Sequence, residues 1–375
     1  MTSICLCMIV RDEALVIDRC LRSVRELIDH WVICDTGSSD NTSELILAAL
    51  EGIPGELHER PWVDFGHNRT ELVTLAHGAA DYLLLIDADM TVSYDGASLR
   101  ELSADAYLVR HAEDPEYWIK RLIRGDRHWR FVGRTHEYIT CDEPEREAML
   151  ESIVIHHHAD GGARPEKFER DLLLLSEELE QDPHNPRTTF YLAQTLRDLG
   201  RPEEAIDIYR RRAWMGGWEE EVFLSLYQVG VLSARCGHHD QAVSTLFEAW
   251  SHSPHRAEPL YALAWMFRER NQHAAAHLVT AQGIQVALPR NALFVERWVY
   301  DWGLLFEYSI AAYWVREYRA ALDACNRLLR NPRLPPAYRS QTEHNREWCL
   351  TAFAGSNRRR GTSTHGRLSG PVPRS

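Results

Sequence analysis

Residues 82–89 read Tyr82-Leu83-Leu84-Leu85-Ile86-Asp87-Ala88-Asp89, a run of five apolar or aromatic residues that ends abruptly in two carboxylates one residue apart. The pattern predicts a buried strand that delivers Asp-x-Asp to its exposed end. Two hard oxygen ligands at this spacing suit Mg²⁺ or Mn²⁺, whose open positions can take a diphosphate. The substrate class that follows is a nucleotide carrying a leaving group.

Working outward, residues 3–10 form another continuous apolar run, followed by Arg11-Asp12-Glu13. Leu15, Cys20, Leu21, Val24 and Leu27 then recur at near-helical spacing. Trp31-Val32-Ile33-Cys34 is a second apolar run; it ends in Asp35-Thr36-Gly37-Ser38-Ser39-Asp40-Asn41-Thr42, after which Leu45, Ile46, Ala49 and Leu50 resume a helical period. Strands alternating with helices predict a mostly parallel, Rossmann-like α/β sheet with ligands at the carboxyl ends of the strands. Asp35, Asp87 and Asp89 then share one edge. Ser38, Ser39 or Asp40 is expected to cap the second helix, whereas Asp35 lies too early to cap. No Gly-x-Gly-x-x-Gly follows either strand and no Gly-Lys-Ser/Thr phosphate loop occurs, which excludes the common dinucleotide and P-loop readings.

Taken in order, Ile4 to Glu13, Val32 to Thr42, Asn68-Arg69 and Leu85 to Asp89 resemble a family 2 glycosyltransferase of the GT-A fold, over roughly residues 3 to 170. The resemblance implies that Asp35 receives the nucleobase, Asp87 the ribose and metal, Asp89 the metal, and Arg69 the ribose-diphosphate region. Two positions depart from the pattern: Asp12-Glu13 stands where Asn-Glu is usual, and Met90 where an acid is common.

Residues 116–124 and 129–139 are similar to the acceptor half of that fold, where related enzymes carry a Trp and then Gly-x-x-His-Glu, here Trp129 and Gly133 to Glu137. Inverting transfer needs a group to take the acceptor proton, and Glu137 is the expected general base. An ion pair with a nearby arginine is its structural alternative. Trp129 and His136 are the acceptor-side candidates, Trp129 as a ring on which a sugar could stack or as a core residue. Ile153-Val154-Ile155 runs into His156-His157-His158, and strand alternation sets His157 on the face of Ile153 and Ile155. The resemblance implies a metal-ligating histidine here, His157, with His158 as the alternative. Gly161-Gly162 followed by Arg164 and Lys167 suits a loop that closes over a diphosphate.

Beyond residue 165 the periodicity becomes that of tetratricopeptide helical hairpins. The small residue of the second helix recurs at Ala205, Ala242, Ala276 and Ala321, separations of 37, 34 and 45, so an insertion is expected near residues 291–302. The expected domains are a GT-A domain over 1–164, an all-α repeat array over 165–352 and a disordered basic tail over 353–375. The array offers a groove for a protein or a homodimer interface.

A net charge of −13 argues against nucleic acid as partner. Eight scattered cysteines without C-x-x-C fit reduced thiols in a cytoplasm, that of a bacterial or phage-infected cell. No stretch approaches the ~20 apolar residues of a membrane span. The sequence thus predicts a Mn²⁺- or Mg²⁺-dependent inverting transferase moving a sugar from a UDP-linked donor to a hydroxyl or thiol, on a protein docked to the array. The alternatives are a non-catalytic repeat scaffold and a sugar-nucleotide pyrophosphorylase.

Overall fold

The protein is described from a computed structural model, which describes residues 2–95, 102–112, 117–160, 167–289 and 293–362. Its contacts divide it into two compact units, 1–201 and 202–375.

The first unit is built on strands β1 (Ile4–Val10), β2 (His30–Asp35), β3 (Gly55–Glu59), β4 (Tyr82–Leu85), β5 (Met90–Tyr94), β6 (Ala106–His111), β7 (Tyr117–Arg124) and β10 (Glu147–His157). They form one sheet in the order β3-β2-β1-β4-β7-β6-β10-β5. The first four pair in parallel, as do β6 and β10, while β7 and β5 run antiparallel to their neighbours. A separate ribbon joins β8 (Trp129–Val132) to β9 (Tyr138–Cys141).

The central strands read as unbroken apolar runs because both faces are covered. Ile4, Leu6, Met8 and Val10 pack on one face with Ile17, Cys20, Leu21 and Val24 of helix α1 (Ile17–Val24). Cys5 and Cys7 pack on the other with Leu72 and Val73 of helix α3 (Phe65–Leu75). Helix α2 (Thr42–Ala49) follows β2. Leu15, counted into the apolar face of the first helix, instead lies 99% exposed in the turn before α1. A three-residue loop plus turn delays the helix start, so its period begins at Ile17.

Helices α4 (Lys167–Gln181) and α5 (Pro186–Asp198) pack on each other. The contact division falls after them, at Arg201/Pro202, and not at the 164/165 boundary suggested by repeat periodicity. They fall in the first unit because both bond to a turn of the α/β part, as described below.

The second unit contains α6 (Pro202–Trp214), α7 (Glu219–Arg235), α8 (His239–His252), α9 (Glu258–Glu269), α10 (His273–Gly283), α11 (Leu304–Trp314), α12 (Tyr318–Leu329) and α13 (Pro336–Thr362). Each helix packs on the next, and α7, α9, α11 and α13 also touch in sequence, which is the contact pattern of stacked helical hairpins. Ala205, Ala242, Ala276 and Ala321 sit in α6, α8, α10 and α12, each no more than 1% exposed, because the small side chain lets neighbouring helices approach. The expected insertion lies between α10 and α11 and ends in a wider π-helical turn, Val299–Gly303. Residues 353–362, assigned by composition to a disordered tail, continue α13; no proline interrupts them. Residues 363–375 lie outside the described residues.

One close approach sets the position of α3. Gly66 in its first turn lies against the Gly133 carbonyl, where a Cβ would collide with backbone. Gly66→Ala is therefore expected to destabilise the first unit by about 1–3 kcal/mol, read as a shift in the urea midpoint. An unchanged midpoint would show that this contact yields freely.

Candidate active site

The parallel register brings the candidate residues to one edge. Val10 lies beside Asp35, and Ile86 donates its N–H to the Cys7 carbonyl, so Asp87 emerges next to the end of β1. Asp35 is nearly buried, and its Oδ1 accepts from the N–H groups of Gly37 (3.0 Å) and Ser38 (2.7 Å) while Oδ2 accepts from the Ser43 hydroxyl (2.7 Å). As expected, Asp35 lies too early to cap α2, whose N-cap position is Asn41; it instead closes the turn after β2 as an Asx-type acceptor. The expected cap by Ser38, Ser39 or Asp40 is not formed, since the N-cap position is Asn41 and makes no side-chain cap bond; Asp40 stands one residue before it and accepts from the Thr42 N–H and hydroxyl. The Arg11–Glu13 loop is laced to this turn: Asp12 N–H donates to Ser38 Oγ, Glu13 N–H to Thr42 Oγ1, and Asp12 Oδ1 accepts from Ser39.

Asp64 caps α3 by accepting from His67 N–H, and Asn68 braces the entry by accepting from Val63 N–H and donating to the Pro61 carbonyl. Thus anchored, α3 projects Arg69 at the carboxylates. Its Nη2 lies 2.6 Å from Asp87 Oδ1 and its Nε 2.8 Å from Glu137 Oε1. Arg121 of β7 reaches Asp87 Oδ2 from the other side at 3.3 Å. Burial, the largest single influence, pushes the Asp87 carboxyl up, but the Arg69 and Arg121 charges together reverse this and hold it well below the usual carboxylate range. Burial likewise works against the Arg69 cation, and the charges of Asp87 and Glu137 more than offset it, raising it further.

Asp89 Oδ2 lies 2.9 Å from His157 Nε2. His158 turns to Thr91 Oγ1 and His156 to Ser93 Oγ, as strand alternation from His157 requires. Of the metal candidates, Asp89 and His157 therefore come together, whereas Asp87 faces arginines and His158 points elsewhere. Among the described residues no group of three or more His, Cys, Asp or Glu is placed to hold an ion. One carboxylate oxygen and one imidazole nitrogen are what the described residues offer a divalent cation here, and its remaining ligands would come from substrate phosphates and water.

Glu137 sits in the turn between β8 and β9, where Gly133 and His136 adopt positive φ of 103° and 51°. Trp129 is 4% exposed in the core, its indole N–H donating to the Arg124 carbonyl and its ring flanked by Lys120 and Arg127. This favours its core reading over a sugar platform. The His136 ring stacks on Tyr191 at 4.1 Å and 5°. Lys167 opens α4 with its side chain exposed, and Arg164 lies outside the described residues, as does the Gly161-Gly162 pair.

Residues 5–103 match the family described as Glycosyl transferase family 2. Over residues 5–103 the first unit is thus similar to family 2 glycosyltransferases. The matched span contains Asp35, Arg69, Asp87 and Asp89 but neither Glu137 nor His157. The chain is 28% identical over 313 residues to a TPR repeat-containing protein of Synechococcus elongatus, covering 76% of each. It is 23% identical over 220 residues to the SPbeta prophage-derived glycosyltransferase SunS of Bacillus subtilis, covering 54% of this chain and 51% of that one. The chain thus spans about half of SunS. Solved structures to which it is similar include MamA, at 17% identity, covering 42% of this chain and 88% of that one with a TM-score of 0.34. BtubC from P. vanneervenii is another, at 16% identity, 56% and 96% coverage and a TM-score of 0.37.

Arg121, in the first unit but outside the matched span, was not among the residues expected from the sequence. Its strand also carries Lys120 and Arg124, so nothing in the sequence sets Arg121 apart from its neighbours. Asp171, Arg187 and Tyr191 were likewise not expected at the site, because they lie in helices whose periodicity reads as repeat.

Burial first, then the charges of Lys167 and Arg187, lower the His136 imidazole to about 4. Because the folded value lies below the ordinary one near 6.5, the unfolded chain binds this proton more readily. The stability tied to the neutral ring is complete above about pH 6.5 and is lost as pH falls through 4. We expect the first unit to lose on the order of 2 kcal/mol from this group between pH 7 and 4. His136→Phe, which keeps a ring on Tyr191, should flatten that part of the pH–stability curve; an unaltered slope would place the titration elsewhere.

Proposed function

We propose that the protein is an inverting glycosyltransferase that moves a sugar from a nucleotide-sugar donor, UDP-linked, to a hydroxyl or thiol of a protein acceptor. One observation carries this reading: a single guanidinium, Arg69, ties the donor-side carboxylate Asp87 to the acceptor-side carboxylate Glu137 at 2.6 and 2.8 Å. The two halves of a group transfer are thereby held at one point. Asp87, kept ionised by its arginines, has lone pairs left for ribose hydroxyls. Asp89 and His157 would hold a divalent cation, which when bound takes up charge developing on the departing diphosphate.

In the transfer step the acceptor O–H or S–H proton passes to the Glu137 carboxylate. The acceptor atom bonds to the anomeric carbon, and the bond from that carbon to the diphosphate oxygen breaks, its electron pair leaving with the nucleoside diphosphate. A single displacement from the opposite face inverts the centre. The Arg69 charge, 2.8 Å from Glu137 Oε1, attracts one oxygen of that carboxylate and keeps it near Asp87.

A protein acceptor is supported by the helical-repeat unit, since stacked hairpins present an extended surface of peptide size. Its exposed Trp218, Trp265 and Trp314 are side chains of the kind that anchor such contacts. No helix among the described residues is long and apolar enough to cross a membrane.

A donor panel with Mn²⁺ tests the reaction class: release of UDP, GDP or TDP supports transfer, release of pyrophosphate would favour a pyrophosphorylase, and silence with every donor a scaffold. Two variants then separate the roles. Asp89→Asn should lose metal-dependent UDP affinity in calorimetry, whereas Glu137→Gln should keep that affinity and lose roughly 10²–10⁴-fold in turnover. Near wild-type turnover in Glu137→Gln would sink the general-base assignment.

The acceptor is tested by deleting residues 202–375, which retains the whole first unit. With folding verified by circular dichroism, donor hydrolysis should persist and labelling of protein in host lysate should disappear. Efficient labelling by the truncated protein would assign the array to assembly instead of recognition.

A further inference from the structure

The turn that carries Glu137 is bonded residue by residue to the α4–α5 hairpin. From α4, Glu177 pairs with Arg134 and the Asp171 carboxylate accepts from Thr135 Oγ1 at 3.3 Å. From α5, Arg187 donates through both Nε (3.2 Å) and Nη2 (2.9 Å) to the His136 carbonyl, and Tyr191 stacks flat on the His136 ring. The Arg187 guanidinium also lies over the rings of Tyr138 and Tyr191, at 5.1 and 4.9 Å from their centroids. Three consecutive residues before Glu137, and the one after it, are thus gripped by two helices that sequence periodicity assigns elsewhere.

The geometry points to Arg187 and Tyr191 as positioning residues for Glu137, which makes the α4–α5 hairpin a working part of the transfer site. This inference rests on the transferase reading of Glu137. The His136 carbonyl belongs to the peptide bond that leads into Glu137, so clamping it fixes the plane from which the Glu137 side chain departs. His136 holds a left-handed φ of 51°, a conformation that residues with a Cβ adopt at a cost and keep only where surroundings enforce it. Here the enforcement is the two-pronged bond from Arg187 and the stack from Tyr191. Without them the turn can relax, and Glu137 Oε1 need not stay 2.8 Å from Arg69 Nε. Small displacements of a reacting group cost rate far more than ground-state binding. Arginine suits the place because its planar fork supplies two N–H groups to one oxygen while its face packs on aromatic rings, which a lysine ammonium does not do.

The test uses the full chain with the donor identified by the panel. Arg187→Ala is expected to lower kcat by roughly 10- to 100-fold while leaving the affinity for the matching nucleoside diphosphate with Mn²⁺ within about 3-fold. Arg187→Lys should recover little of the loss, and Tyr191→Phe, which keeps the stack, should retain near wild-type turnover where Tyr191→Ala does not. Hydrogen exchange should accelerate in residues 133–139 of Arg187→Ala and stay unchanged in the central strands. Wild-type turnover in Arg187→Ala beside a Glu137→Gln variant that has lost it overturns the inference and leaves the transferase reading standing. Wild-type turnover in Glu137→Gln, or silence of the wild type with every donor, overturns both. Unaltered exchange over 133–139 overturns the clamp whatever the kinetics. If Arg187→Ala lowers the melting temperature of the whole unit, Arg187→Lys, which keeps charge and length, is read in its place with the same outcomes.

Discussion

The ion triad Asp87–Arg69–Glu137 is the interaction on which the arrangement of the site depends. A guanidinium is delocalised and always charged, so it can satisfy two carboxylates from different parts of the chain without itself changing protonation state. Asp87 alone would be pressed toward neutrality by burial; with the Arg69 and Arg121 charges beside it, it remains ionised. The elements that carry them are correspondingly constrained. Strand β4 delivers Asp87, α3 delivers Arg69, β7 delivers Arg121, and the turn between β8 and β9 delivers Glu137.

These deliveries differ in how they are made rigid. Asp87 and Arg121 stand on or beside sheet strands whose register is fixed by burial on both faces, so slippage by one residue would expose a core row. Arg69 depends on the helix entry, where Asp64 and Asn68 satisfy backbone groups and Gly66 permits contact with Gly133. Glu137 depends on a turn with no ladder of its own at that point, and side chains of α4 and α5 supply what backbone pairing does not. The dependence runs from sheet to helix to turn, with the least regular element needing the most outside support.

The same logic accounts for the division of the chain into units. Helical hairpins are grouped by periodicity with the repeats that follow them, because period 3.6 and small residues look alike in any stacked helix. Packing assigns α4 and α5 differently: Asp171, Glu177, Arg187 and Tyr191 bond to residues 134–136 within the first unit. In the second unit, buried charge is handled by pairing. Arg212 binds Glu221, and Arg256 binds Glu258 and Glu220 while lying over the Phe223 ring. Such pairs resist removal of one partner, which would strand the other charge in the interior.

What the sequence by itself determined is what local chemistry dictates. Apolar runs ending in carboxylates specify strands with acidic tips, since continuous hydrophobicity needs two covered faces and an Asp cannot follow it inward. Alanines near a 34-residue period specify stacked hairpins, since a close helix crossing excludes larger side chains. Only the tertiary structure decided which carboxylates meet cations and which meet each other's neighbours. Asp35 turned out to close its own loop, Trp129 to lie in the core, and His157 to face Asp89 while His158 faces Thr91. Arg121 and Arg187 entered the site from strands and helices distant in sequence. The reason is physical: periodicity reports the face on which a residue lies, whereas an ion pair or a carbonyl clamp depends on the distance between faces of separate elements, and that distance is set only when the whole unit packs.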